Sequence, residues 1–132
     1  LATRQTEASG VIVFDTGALV ALERRKQRAV SIWTMARRHE MKVVVPGAVI
    51  AEWWRSRTDV RESILAGVAG EPVEARLGRA AGEALAATPG ATVVDAIVMA
   101  LAARLGATVF TSDVDDLEDL RSFFPGVRVL SV

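Results

Sequence analysis

Three short apolar runs punctuate the chain: Val11-Ile12-Val13-Phe14, Val43-Val44-Val45 and Thr108-Val109-Phe110-Thr111. Runs of this length, β-branched and without polar alternation, read as strands buried on both faces. Between them the apolar spacing turns helical. Gly17 to Lys26 reads as a helix with Leu19, Leu22 and neighbouring alanines on its inner side. Ala29 to Glu40 reads as a second helix, striped by Val30, Trp33 and Met35-Ala36. Pro46-Gly47 closes the second strand and opens a helix to about Arg57. Thr58 caps a helix from Asp59 to about Ala69, with Glu62 in its first turn. Gly70-Glu71-Pro72-Val73 has room for a very short edge strand. Glu74 to Ala87 is helical, weakened by Gly78 and Gly82. Past the turn Thr88-Pro89-Gly90 lies an alanine-rich helix that Gly106 stops. Asp115 to Phe124 is a short helix ended by Pro125-Gly126, and Val127-Arg128-Val129-Leu130 is a last strand. Leu1 to Gly10 is polar and reads as a flexible leader, which leaves residues 11–132 as a single domain.

Strands alternating with helices predict an α/β class: a three-layer sandwich around a parallel sheet of four to five strands. In such sheets, sites form beyond the carboxyl ends of the strands, where strand order reverses. Four carboxylates stand near such places. Asp15 ends the first run, and Asp113 closely follows the third. Glu52 and Asp95 lie on helices that begin near apolar runs. A carboxylate there is costly, because its charge must stay solvated or find a cation. At about 4 Å and an effective dielectric near 20, each like-charged pair costs roughly 4 kcal/mol. Acids gathered at one point therefore hold a proton or a metal ion.

Composition narrows the metal. The chain has no cysteine and one histidine, His39, set among Arg37, Arg38 and Glu40 as a solvated helix-end residue. Thiolate nucleophiles, disulfides and multi-histidine zinc sites are excluded. All-oxygen ligands favour Mg²⁺ or Mn²⁺, one or two ions per site. The lack of cysteine fits a cytoplasmic location, and no apolar stretch is long enough to span a membrane. Hydrophobic residues make up 51% of the 132, enough for a real core and too many for a disordered chain.

Net charge is zero but unevenly spread. Residues 1–57 carry ten Lys/Arg against five Asp/Glu, and residues 58–132 carry six against eleven. Within the first part, Arg24, Arg25 and Arg28 are candidate contacts to a phosphate backbone, against a blander reading as a solvated helix face. Trp53-Trp54 is unusual. Adjacent helical positions point about 100° apart, so one ring is expected inside and the other partly exposed. Such a pair is also a candidate anchor for a dimer mate or a partner's peptide.

The ordered set of motifs resembles the PIN domain, a family of metal-dependent ribonucleases. It comprises Asp15-Thr16-Gly17-Ala18-Leu19 after a strand, and Val45-Pro46 before a helix with Glu52. Then come Val94-Asp95-Ala96 opening the helix that ends at Leu105-Gly106-Ala107, and Val109-Phe110-Thr111-Ser112-Asp113-Val114-Asp115-Asp116-Leu117. The small size is similar to that of VapC toxins of bacterial toxin–antitoxin pairs. The resemblance implies strand order 3-2-1-4-5 and an endoribonuclease inhibited by a bound VapB-like antitoxin. It also implies a homodimer and a higher toxin–antitoxin assembly. Carried over by position, Asp15, Glu52, Asp95 and Asp113 would be the catalytic and metal-binding acids, with Thr16, Thr111 and Asp116 supporting them. Ser112 stands where a basic residue is frequent, and Leu117 where Phe is frequent. A non-catalytic PIN-like module that binds RNA or protein is the competing reading. A haloacid-dehalogenase-type phosphatase would need Asp-x-Asp at the first strand, where this chain has Asp15-Thr16-Gly17. A calcium loop starting at Asp113 would need Gly where Glu118 stands.

Overall fold

The structure, a computed structural model, describes residues 10–132, so the predicted leader up to Ser9 lies outside the described residues. Five parallel strands form one sheet in the order β3-β2-β1-β4-β5. They are β1 (Val11–Phe14), β2 (Lys42–Pro46), β3 (Ala69–Glu71), β4 (Thr108–Thr111) and β5 (Val129–Ser131). The helices are α1 (Thr16–Glu23), α2 (Gln27–Arg38), α3 (Gly47–Trp53), α4 (Asp59–Ala66), α5 (Ala75–Ala87), α6 (Val93–Leu105) and α7 (Val114–Glu118). A 3-10 turn, Asp119–Ser122, follows α7 directly. The predicted helix 115–124 is thus an α-helical turn that tightens into a 3-10 one.

Successive strand residues point to opposite faces. Ile12, Val13 and Phe14 are nonetheless all buried, as are Val43, Val44 and Val45. Both faces of the sheet centre are therefore covered, which makes the three layers. α6 packs across β1, β2 and β4 and is buried without a break from Ala96 to Ala102. Thr92 caps its start, and Gly106 ends it in the left-handed region at φ 64°. α5 lies against α6, and the alanines Ala81 and Ala84 lie buried in that contact layer.

Several predicted boundaries move. α1 stops at Glu23 rather than Lys26, and Arg25 turns the chain at φ 58°. α3 stops at Trp53 rather than near Arg57, because Trp54 leaves the helical region at ψ 86°. α4 stops at Ala66, and Ala69 already belongs to β3. The third strand is Ala69–Glu71, not Gly70–Val73, since Pro72 brings no N–H to continue the ladder. The last strand is Val129–Ser131, not Val127–Leu130. Val127 is buried, but its N–H donates to the Phe124 carbonyl in a turn.

Candidate active site

The strand order reverses between β1 and β4, where two neighbours lead away in opposite directions. Asp15 stands there. Its N–H donates to the Phe110 carbonyl of β4 at 3.3 Å, and its carboxylate caps α1 by accepting from Ala18 N–H at 2.8 Å. It is 7% exposed, the one buried carboxylate among the described residues. Burial pushes its pKa up, and the charges of Glu52 and Asp113 push the same way; hydrogen bonds from Thr111 and Ala18 oppose them. Thr111, fully inside, links the two central turns: its hydroxyl accepts from Asp113 N–H at 3.0 Å and hydrogen-bonds Asp15.

Asp95 lies in the first turn of α6, where Thr92 accepts its N–H at 3.2 Å. Partial burial raises its pKa to about 6, helped by the charges of Asp15, Asp116 and Glu52 and opposed by a hydrogen bond with Thr92. Asp113 precedes α7 but makes no capping bond to it. Its carboxylate hydrogen-bonds that of Asp116, which drives the Asp116 pKa up. Glu52, near the end of α3, accepts a hydrogen bond from the Thr16 hydroxyl at the start of α1. Five carboxylates from the β1–α1 turn, α3, α6, the β4–α7 turn and α7 thus sense one another at one end of the sheet. Asp15 caps α1 and Asp95 is the acid in the first turn of α6, so these helix-start roles and a joint site coexist.

The donor set is all oxygen, which suits a hard divalent cation. The carboxylates face one another without closing into a coordination shell: among the described residues, no three acidic or histidine groups converge closely enough to hold an ion. Burial first, and the neighbouring carboxylates after it, raise the pKa values of Asp15 and Asp95.

The basic run does not form one track. Arg24 lines a cavity of about 310 Å³ with Thr16, Val20, Glu23, Glu52, Trp53, Arg55 and Arg61. Arg25 lines another, of about 380 Å³, with Val30, Trp33 and Val60 among its walls. Arg28 donates through Nε to the Ser131 carbonyl at 2.7 Å. The tryptophans divide as expected from their spacing, in edge-to-face contact at 5.9 Å. Trp53 is 3% exposed and donates to Glu23 at 3.0 Å, so it has no free face for a partner. Trp54 is only partly buried. Arg55, Glu23 and Arg61 were not singled out in the sequence. Arg55 sits three residues past Glu52 at a helix end, where an arginine ordinarily reads as solvated.

The PIN domain family model matches residues 12–121. That spans most of the chain, and the chain belongs to the PIN domain family. Among solved structures it is similar to a chain in the crystal structure of VapBC2 from Rickettsia felis bound to a DNA fragment from their promoter. The TM-score is 0.74 at 12% identity, covering 92% of this chain and 98% of that one. At that identity the likeness establishes the fold. No curated protein matches the sequence. Among the described residues no helix is long and apolar enough to cross a membrane.

Proposed function

We propose that the chain is a Mg²⁺- or Mn²⁺-dependent endoribonuclease, the toxin of a cytoplasmic toxin–antitoxin pair held inactive by a VapB-like antitoxin. PIN domains are generally nucleases that use divalent metals, which supports the reaction class. The VapBC2 neighbour, solved with a promoter DNA fragment, supports an antitoxin partner; a homodimer and a higher toxin–antitoxin assembly belong to the same proposal. The observation that carries the reading is a buried Asp15 at the switch point, its pKa raised and Glu52, Asp95 and Asp113 in electrostatic reach.

In this reading Asp15, Asp95 and Asp113 would hold the ion, with Glu52 as a further ligand or as the group that orients water. The bound ion would lower the pKa of a water and offset charge on the leaving oxygen, so no protein nucleophile is needed. Thr111 fixes the Asp15 carboxylate by its hydrogen bond. Thr16 fixes Glu52. Asp116 would support the site from its rim, where the neighbouring Asp113 carboxylate raises its pKa.

Incubating antitoxin-free protein with total bacterial RNA, with Mg²⁺, Mn²⁺ or chelator, tests the reading. The expected result is discrete cleavage that needs metal and falls about 100-fold or more in a folded Asp15→Asn variant. The unclosed carboxylate cluster favours a second reading, a non-catalytic RNA- or protein-binding module. Folded, metal-bound protein that leaves RNA intact would select it.

A further inference from the structure

The cavity beside the acidic cluster has its own charge pattern. One stripe of α1, Thr16, Val20 and Glu23, with Arg24 at its C-terminal cap, faces Glu52 and Trp53 of α3, with Arg55 just beyond and Arg61 from α4. Residues three and four apart on a helix share a face, which is why these α1 side chains line one wall. Thr16 and Glu52 belong to the cavity and to the acidic cluster alike, so the two are continuous.

The acids in this cavity are engaged. Glu23 accepts from Trp53 at 3.0 Å and pairs with Arg61 at 3.1 Å. Glu52 accepts from Thr16. Arg61 also donates to the Ser56 carbonyl at 2.7 Å. Two cations remain. Arg24 makes no ion pair or side-chain hydrogen bond among the described residues. Arg55 donates through Nε to the Glu52 carbonyl at 2.9 Å, which orients its guanidinium, and no carboxylate pairs with it among the described residues. A planar fork of donors matches a phosphate bidentately.

Resting on the nuclease reading, we propose that Arg24 and Arg55 form a phosphate subsite in this cavity. It takes a backbone phosphate of the RNA strand next to the one at the acidic cluster. The acids place the bond to be cut, and the two arginines fix the direction in which the strand leaves it. Arg25 and Arg28 take no part, because one lines a separate cavity and the other is tied to Ser131.

The test is anisotropy of a labelled single-stranded RNA of random sequence, over a salt series with Mg²⁺. The protein is the full chain carrying Asp15→Asn, so that nothing is cut. Arg24→Gln and Arg55→Gln are each expected to weaken binding and flatten the plot of log affinity against log salt by about 0.7, the single-strand value per phosphate contact. Arg55→Lys keeps the slope. Arg79→Gln, on the exposed side of α5, leaves it unchanged. An unmoved slope in the Arg24→Gln/Arg55→Gln double variant overturns the subsite. If unaltered protein cuts RNA and the parent binds it, that failure is the subsite's alone. Loss of both cutting and salt-dependent binding in the starting proteins would overturn the nuclease reading and the subsite together.

Discussion

Gly17 and Ser112 meet where the turn after β1 crosses the turn after β4. A Cβ on Gly17 would lie 2.1 Å from Ser112 Oγ and 3.1 Å from Ser112 Cβ. Rotating the hydroxyl relieves the first clash and not the second. Gly17→Ala is therefore expected to push the Asp113 turn away from Asp15. The expected cost is about 1–3 kcal/mol of stability, as overpacking usually brings, with weaker Mg²⁺ binding. Ser112→Gly in the same chain removes the obstacle and should restore both. Thermal unfolding and a metal titration on the parent and the two variants check this; a Gly17→Ala protein that matches the parent in both shows the turns to be independent. The same pair marks a boundary of what the sequence discloses. Asp15 and Asp113 are legible because a charge at or just past the end of an apolar run is costly and stands out in the sequence. Ser112 is not legible, because its importance is a contact between distant turns. Arg55 is not legible either, since only the facing stripe of α1 turns a helix-end cation into a cavity wall.

At the scale of elements, α1, α3 and α4 are joined by one carboxylate. Glu23 takes the Trp53 indole from α3 and the Arg61 guanidinium from α4. Its side chain and that of Arg61 are 23% and 20% exposed, so solvent screens the pair only in part. In a double-mutant cycle, Glu23→Gln and Arg61→Gln should show a coupling of about 0.5–3 kcal/mol, because groups in direct contact do not behave additively. Chemical denaturation of the four proteins measures it, and additive losses would remove the link. Tryptophan emission should also shift in Glu23→Ala, which takes away the indole's acceptor. Sequence spacing carries α3 to about Arg57, whereas the backbone leaves the helix at Trp54, directly after the residue that Glu23 holds. The central strands were readable because burial on both faces demands unbroken β-branched runs. The edges were not: β3 and β5 each have one neighbour, so their limits are set by a partner's register, Val45 against Gly70 and Thr111 against Ser131.

For the whole molecule, the consequence of gathering acids is a stability that depends on protons and cations together. The folded Asp95 has its pKa raised from 3.8 to about 6, chiefly by burial. Between those values the folded state holds a proton that the unfolded state has released. Stability contributed by this group therefore falls as pH rises through that window, and stays lower above it. Asp15 is shifted in the same direction, for the same first cause. In the proposed nuclease a divalent cation would bind the ionised carboxylates and displace those protons, so its apparent affinity would climb over the same range. At a hundred times its dissociation constant it would add about 2.7 kcal/mol to the folded state. Melting temperature followed from pH 4 to 7, in chelator and in Mg²⁺, tests the coupling. In chelator the chain should lose stability relative to Asp95→Asn as pH rises, because the amide has no charge to bury. In Mg²⁺ that difference should shrink or reverse, since only the carboxylate can take the ion. Equal differences in chelator and in Mg²⁺ would mean that the ion does not reach Asp95, and the acidic cluster would then owe its raised pKa values to packing alone.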